Sequence, residues 1–116
     1  MLSTGVHHVS VNVDDVEAGR AFYVDVLGMK VLPRPDLGLG GVWLAVGDQQ
    51  IHLIELPPPA AQGQHFALRV DDIHAAADAI RAKGVAVTEP KQLADVCWQA
   101  NLIDPAGNAI ELNQPL

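Results

Sequence analysis

The chain repeats itself at an offset of 57 residues, and this repeat limits the possible folds more than any other feature of the sequence. The segment from His8 to Ala18 reads HVSVNVDDVEA, and the segment from His65 to Ala75 reads HFALRVDDIHA. A repeat of this kind indicates one structural unit used twice. The sequence therefore predicts a single 116-residue domain, residues 1–116, made of two modules at 5–56 and 65–113. A proline-rich linker at 57–64 joins them.

Each module is predicted to begin with a strand, because apolar residues recur at every second position. In the first module the apolar residues are the valines between 9 and 13, and they alternate with His8, Ser10 and Asn12. This period of two is typical of a strand with one buried face. The polar face would then meet solvent or a polar cavity. The second copy repeats the alternation from His65 to Val70.

A helix is predicted to follow each first strand. Aspartate is a favoured N-cap residue, and each module carries an Asp-Asp pair at this point, at 14–15 and at 71–72. Gly28 and Gly84 are placed to end the two helices in a left-handed conformation.

Three more strands are predicted after each helix, with hairpin turns at 47–48 and 104–108. The order is β-α-β-β-β in both modules, which is an α+β fold. The predicted strands are Met29–Leu32, Val42–Val46 and Gln50–Leu56 in the first module, and Val85–Thr88, Trp98–Ile103 and Ala109–Asn113 in the second.

Two histidines and a glutamate stand out as candidate metal ligands. His8 and His65 occupy the same place in the two copies, and Glu111 follows the last turn of the second module. Its counterpart in the first module could be Glu55, by matching Ile-Glu-Leu, or His52, by matching the distance from the turn. We favour His52, because hairpin geometry fixes strand register more tightly than residue identity does. His52 and Glu55 cannot share a face of one regular strand.

Imidazoles with a carboxylate form a ligand set for Zn, Ni, Co, Mn or Fe(II), and not for Ca or structural Mg. The set contains no thiolate and leaves room for water. The sequence thus predicts one divalent transition metal in a catalytic site rather than a structural one.

At these residues the sequence resembles the vicinal oxygen chelate superfamily, which includes glyoxalase I, methylmalonyl-CoA epimerase, extradiol dioxygenases and bleomycin-binding proteins. The resemblance covers nearly the whole chain and lies in HVSVNVDD at 8–15, AFYVDVLGM at 21–29, HFALRVDD at 65–72 and DPAGNAIEL at 104–112. It implies paired βαβββ modules that form an open, barrel-like cleft. It also implies metal ligands from the first and last strands of each module, here His8, His52, His65 and Glu111.

The remaining polar residues of the predicted cavity faces are candidate substrate-binding residues: Ser10, Asn12, Arg69, Gln99 and Asn101. Lys91 could reach the cleft, although a solvated lysine is the simpler interpretation. Other conspicuous side chains are interpreted structurally. The sequence predicts Trp43, Trp98 and Cys97 in the core and His74 exposed on a helix. It predicts His7 on the side of the valines, as a packed or an edge residue rather than a ligand.

Composition excludes several classes of partner. The 14 acidic residues against 7 basic ones give a net charge of −7, and no Lys/Arg cluster is present, so nucleic acid and anionic membranes are poor partners. The single cysteine, Cys97, cannot form an internal disulfide. No apolar run approaches the roughly 20 residues of a membrane span, and the first five residues lack the features of a signal peptide. We expect a cytoplasmic protein with a small-molecule substrate, and the resemblance implies a homodimer.

We consider three classes of function, and the four-ligand pattern fits the first best and would be unexplained in the third. The first is a metal-dependent lyase or isomerase, in which Glu111 or a metal-bound hydroxide moves a proton α to a carbonyl, with Glu111 and His52 as the catalytic residues. The second is Fe(II) extradiol cleavage, with thiol transfer as a variant, although Asn101 stands where those enzymes carry a tyrosine. The third is a non-enzymatic binder of bleomycin-like drugs. Within the first class, Asn12 stands where the glyoxalase I motif has an arginine, and His52 stands where it has a glutamate. These differences disfavour glutathione hemithioacetals as substrates.

Overall fold

A computed structural model describes residues 2–60 and 62–116, so Met1 and the predicted linker residue Ala61 lie outside the described residues. The chain divides into two compact units, Met1–Pro59 and Ala60–Leu116. The division falls inside the proline-rich segment 57–64.

The first unit is a four-stranded sheet with one helix. Its elements are β1 (His8–Val13), α1 (Val16–Ala21), a π-helical segment (Phe22–Val26), β2 (Lys30–Leu32), β3 (Gly41–Val46) and β4 (Gln49–Glu55). The strand order is β1-β4-β3-β2, with β1 parallel to β4 and the other neighbours antiparallel.

The second unit repeats this topology. Its elements are β5 (His65–Arg69), α2 (Ile73–Ala82), β6 (Lys91–Leu93), β7 (Cys97–Ile103) and β8 (Ala109–Pro115). The strand order is β5-β8-β7-β6, with β5 parallel to β8. The predicted α+β fold of two βαβββ modules is confirmed.

The second aspartate of each Asp-Asp pair caps its helix. The Asp15 carboxylate accepts a hydrogen bond from the Ala18 backbone N–H at 3.0 Å, and the Asp72 carboxylate accepts one from the Ala75 N–H at 3.1 Å. Each bond satisfies a donor that the first helical turn leaves without a partner. The acidic pairs are therefore structural.

Each core lies between a sheet and its helix. In the first unit Val13, Leu44 and Leu53 are fully buried, and the helix approaches so closely that a Cβ on Gly19 would lie 3.2 Å from the Leu53 side chain. In the second unit the buried residues include Ile73 and Ala77 of α2 and Ile110 and Leu112 of β8. The alternation predicted from the valines of β1 is confirmed, since Val11 and Val13 are buried while His8 and Ser10 are exposed.

The predicted strand Val85–Thr88 is wrong, and the strand at this edge is β6, Lys91–Leu93. The Arg81 guanidinium donates to the Val87 carbonyl at 3.0 Å and to the Thr88 carbonyl at 3.2 Å, so these acceptors are taken by a side chain. Strand pairing would need the same acceptors. The segment before Pro90 is therefore bound to the end of α2, and it meets β7 at Thr88, whose N–H donates to the Asn101 carbonyl at 2.9 Å.

Among the described residues, no helix has the length and apolar character that a membrane crossing requires.

Candidate functional site

In each unit one face of the sheet packs on the helix and the other does not, and we call the latter the open face. In the first unit β1 and β4 run parallel with Ser10 paired to His52 and His8 paired to Gln50. Paired residues point to the same side of a sheet. His8, Ser10, Asn12 and His52 therefore all belong to the open face.

Three aromatic rings stack along this open face. The His52 ring lies 3.9 Å from the His8 ring at an interplanar angle of 14°, and 4.7 Å from the Trp43 ring at 13°. Trp43 pairs with His52 across β3 and β4. The interpretation of Trp43 as a core residue is wrong, because its neighbours Val42 and Leu44 occupy the buried face and alternation turns the indole the other way.

His52 is held as a neutral imidazole. Burial lowers its pKa below 6.5, and the nearby charges of His8, His7 and Arg34 lower it further. Its Nε2 lies 2.7 Å from the Gln50 side-chain oxygen, so this nitrogen donates to Gln50. The neutral form is the one in which histidine binds metals.

The His8 ring also meets His7. The two Nδ1 atoms lie 2.9 Å apart and the rings meet edge to face at 5.2 Å. Of the two predicted alternatives for His7, a packed residue or an edge residue, the structure has the second, since its side chain is exposed just before β1 begins at His8.

The second unit pairs a histidine with a carboxylate. Ala67 pairs with Glu111 across β5 and β8, which places Glu111 on the open face with His65. The Glu111 Oε1 lies 3.2 Å from the His65 Nε2, and its Oε2 accepts a hydrogen bond from the Asn113 amide at 2.9 Å. The Glu111 side chain is 10% exposed and that of His65 46%.

A backbone carbonyl fixes the protonation pattern of His65. The Nδ1 lies 2.9 Å from the Gly63 oxygen, and since a carbonyl can only accept, Nδ1 carries a hydrogen. The Nε2 then faces a carboxylate either with a second hydrogen or with a bare lone pair. The hydrogen bond to Gly63 has the largest influence on the pKa of His65 and raises it. Burial comes next and lowers the pKa, and the hydrogen bond and charge of Glu111 each raise it. This is the arrangement in which a metal-ligating histidine is oriented by a carbonyl behind it.

The two pairs occupy equivalent positions in the two sheets. Ser10, which pairs with His52, and Ala67, which pairs with Glu111, differ by the 57 residues of the sequence repeat. Glu55 instead pairs with Val13, whose side chain packs toward α1. His52, and not Glu55, therefore shares a face with His8.

The structure brings His8 to His52 and His65 to Glu111. Within residues 2–60 and 62–116 it does not gather three or more His, Cys, Asp or Glu side chains into a group that could hold a metal ion.

The predicted substrate-binding residues lie on the open faces. Asn12 donates a hydrogen bond to the Pro57 carbonyl at 3.3 Å. Gln99 pairs with Asn113 and with Lys91, and Asn101 pairs with Glu111, so these side chains surround the carboxylate of the second unit. Arg69 pairs with Asn113 on the same face. Neither Gln50 nor Asn113 was predicted, although strand alternation from His52 and Glu111 places both on the open faces.

A cavity of about 530 Å³ adjoins His65 in the second unit. Asn101 and Thr88 line it together with apolar side chains such as Val87 and Ile103. The Thr88 hydroxyl accepts the Asn101 backbone N–H at 2.8 Å, which holds the wall of the cavity against β7. A largely apolar cavity with a few polar groups is typical of a small-molecule site.

The other structural predictions are confirmed for Cys97 and His74 and only in part for Trp98. Cys97 is buried and His74 is exposed on α2, as predicted. Trp98 is only partly buried, with its ring edge-to-face against His74 at 5.2 Å on the helix side of the sheet.

Comparison with known proteins agrees with the repeat and the topology. The profile of the Glyoxalase/Bleomycin resistance protein/Dioxygenase superfamily matches residues 5–112. A protein of Synechocystis sp. named as a probable lactoylglutathione lyase is 33% identical over 92% of this chain and 92% of its own length. The mitochondrial methylmalonyl-CoA epimerase of Bos taurus is 30% identical over 71% of this chain and 55% of its own.

Among solved structures, TnmS3, an antibiotic-binding protein from Streptomyces sp. CB03234, is similar with a TM-score of 0.87. It is 33% identical, and the match covers 100% of this chain and 99% of that one. The chain therefore belongs to the glyoxalase/bleomycin resistance protein/dioxygenase superfamily.

Proposed function

We propose that the protein is a metal-dependent lyase or isomerase that moves a proton on a small oxygenated metabolite. The observation that carries the proposal is the His65–Glu111 pair. The Gly63 carbonyl fixes the hydrogen of His65 on Nδ1, and the Nε2 of the same ring faces the Glu111 Oε1 at 3.2 Å. A lone pair on Nε2 and one on Oε1 would repel each other unless a cation or a proton lies between these atoms. A divalent metal supplies that charge.

The proposed ligands are His8, His52, His65 and Glu111, one pair from each unit. The donor set fits a divalent transition metal, because imidazole nitrogens and one carboxylate suit Zn, Ni, Co, Mn and Fe(II). The neutral state of His52 favours the same use, since no proton must be displaced from a charged ring. The superfamily assignment supports a divalent metal in a site of this kind.

A divalent ion would polarise the carbonyl oxygen of a substrate and so acidify the neighbouring C–H bond. The Glu111 carboxylate is then the group that accepts this proton and returns it, because it is the sole carboxylate in the proposed ligand set. Asn113 donates to the far oxygen of Glu111 and orients the carboxylate for that transfer. His52 is the second candidate proton-transfer group, and Ser10, Asn12, Arg69, Gln99 and Asn101 are the proposed substrate-binding residues.

The relatives named as a lactoylglutathione lyase and as an epimerase support a lyase or isomerase over a redox enzyme. Solvent deuterium exchange tests this directly. Incubation in D₂O with a panel of α-hydroxycarbonyls and hemithioacetals should incorporate deuterium only when metal is present. Glu111→Gln should abolish the exchange, and Glu55→Gln, which changes a carboxylate outside the proposed set, should not.

Other outcomes would move the protein to another class. Oxygen uptake with catechols and no deuterium exchange would indicate the extradiol dioxygenase class, and thiol addition to an epoxide would indicate a thiol transferase. Either result would contradict the proton-transfer proposal.

A second candidate function is sequestration of a planar drug-like molecule without catalysis. The observation that favours it is the ring stack of Trp43, His52 and His8, together with similarity to the antibiotic-binding protein TnmS3. Metal-free protein should then bind a planar aromatic cation such as ethidium tightly, and Trp43→Ala should weaken that binding. Exchange activity without such binding would exclude this function.

We also propose a homodimer located in the cytoplasm. The dimer follows from the family resemblance, and the single buried thiol is compatible with a reducing compartment. Light scattering at micromolar concentration should give twice the mass of 12.3 kDa. A monomeric mass would contradict the dimer.

A further inference from the structure

Arg34 lies in the loop between β2 and β3, and its guanidinium rests where Gly41 leaves room for it. A Cβ on Gly41 would meet the Leu53 carbonyl oxygen first, and it would lie 3.1 Å from the Arg34 Nη2 and 3.2 Å from its Cζ. Gly41 and Trp43 are two residues apart on β3, so both positions belong to the same face of the sheet. Gly41 pairs with Ile54 of β4, two residues beyond His52. The guanidinium therefore lies on the open face of the first unit, in the row of the Trp43 side chain.

The position of this guanidinium is fixed by the backbone. The Nη2 donates a hydrogen bond to the Leu39 carbonyl at 2.7 Å. The Nε is buried and has no hydrogen-bond partner within residues 2–60 and 62–116. The cation is thus held in place by a neutral group and by close packing against a glycine.

The charge of Arg34 is not balanced by a carboxylate. Within the described part of the chain, no acidic oxygen lies within 4.0 Å of this guanidinium, whereas Arg20 is paired with Glu17, and Arg81 with Asp78 and Glu89. A half-buried cation without a counter-charge is costly to fold, and here the Nε has lost its water without gaining an acceptor. The cost is recovered when an anion occupies the site.

The same cation lies near the ring stack. The guanidinium packs against Gly41, which is two residues from Trp43 on β3, and Trp43 pairs with His52. Two residues span about 7 Å along a strand. A small molecule that pairs with the arginine at one end therefore reaches the proposed metal ligand His52 with the other.

We infer that Arg34 binds the carboxylate of the substrate on the open face of the first unit, which makes the substrate class an α-hydroxy or α-oxo carboxylate. The inference rests on the proposed function for the identity of the substrate. Arg34 and Arg69 belong to different units. Guanidinium is suited to this role because its planar donors match a carboxylate.

Metal-free, ¹⁵N-labelled protein provides the test, because the buried Nε–H of Arg34 is shielded from exchange and its NMR signal reports on the guanidinium. Glycolate is the probe, and glycolamide, its neutral isostere, is the matched ligand control. Glycolate should shift the Arg34 Nε–H and Trp43 indole N–H signals saturably at pH 7, and glycolamide should shift neither.

Arg34→Gln should weaken glycolate binding about tenfold or more, followed at the Trp43 signal, because a charge-assisted contact is lost. Arg20→Gln, on α1 and away from the open face, should bind glycolate as the wild type does. Equal shifts with glycolamide, or unchanged glycolate binding in Arg34→Gln, would overturn the inference. Since no metal is present, that result would leave the metal-dependent function standing, whereas loss of metal binding alone would leave the Arg34 site standing.

Discussion

The Nε2 of His65 faces the Oε1 of Glu111 at 3.2 Å, while the Nδ1 of the same ring is committed to the Gly63 carbonyl at 2.9 Å. The two hydrogen-bonding positions of this imidazole therefore have different roles. One fixes the tautomer, and the other is left to a proton or a metal ion.

The first prediction concerns metal binding. Wild-type protein without a histidine tag should bind one equivalent of Zn²⁺ or Co²⁺, measured by elemental analysis after dialysis. His65→Ala should lose most of the metal, because it removes the nitrogen that faces Glu111. Glu55→Gln is the control and should retain it, since Glu55 lies on the helix side of β4. Wild-type protein that stays metal-free after equilibration with Zn, Ni, Co and Mn would refute the metal-dependent function.

The second prediction concerns pH. In metal-free protein the His65 ring should titrate above 6.5 and the His52 ring below it, followed by NMR of the imidazole carbons. Because the folded pKa of His65 is raised, its contribution to stability is present at low pH and is lost as pH rises through that pKa. The contribution of His52 to stability has the opposite pH dependence. Because its pKa is lowered, the unfolded state takes up a proton more readily than the folded state, so this contribution is present at high pH and is lost as pH falls. Glu111→Gln should bring the pKa of His65 below its wild-type value, while the Gly63 hydrogen bond still raises it. A pKa equal to that of the wild type would show that the carboxylate plays no part.

The third prediction uses the ring stack as a reporter. The Trp43 ring lies 4.7 Å from the His52 ring, so paramagnetic Co²⁺ bound at His52 should quench Trp43 fluorescence. Trp43→Phe should lose most of the metal-dependent quenching. Trp98→Phe should keep it, because Trp98 packs against His74 on the helix side of the other unit. Quenching that follows Trp98 instead would place the bound metal elsewhere.

The fourth prediction concerns the edge of the second sheet. Arg81→Met should lower the free energy of unfolding by about 1–3 kcal/mol, because it leaves the Val87 and Thr88 carbonyls without their charged donor. Urea denaturation measures the change. Arg20→Met removes only an exposed ion pair with Glu17 and should cost less than about 1 kcal/mol. Equal costs for the two variants would mean that Arg81 does not pin the segment.

Local sequence patterns predicted the modules because each of their features acts over a few residues. The repeat gave the topology, the Asp-Asp pairs gave the caps, and the distance from the hairpin turn placed His52 rather than Glu55 on the face of His8. Turn chemistry and strand alternation are short-range constraints, so they can be read without knowledge of the rest of the fold.

The wrong or missing predictions concern side-chain contacts that no local pattern reveals, including one in which a side chain takes the acceptors of a predicted strand. Val85–Thr88 has the composition of a strand, but the Arg81 side chain takes its carbonyls. The alternation of Val42 and Leu44 could have placed Trp43 on the open face, yet the ring stack itself depends on the register of three strands. Arg34 gave no sequence signal, because its neighbour Gly41 is seven residues away and its role depends on the space that this glycine leaves.

The π-helical segment Phe22–Val26 lies where the two copies of the repeat differ in length by one residue. From the capping Asp15 to Gly28 is 13 residues, whereas from Asp72 to Gly84 is 12, and both glycines adopt a left-handed conformation, with φ of 78° and 84°. The first unit thus carries one extra residue between two matched endpoints. A π turn spans one more residue than an α turn, so the surplus residue widens the helix locally and leaves its endpoints unchanged. The one-residue difference between the copies is thus taken up by a change of helical pitch, and β1 and β4 keep the parallel pairing of β5 and β8.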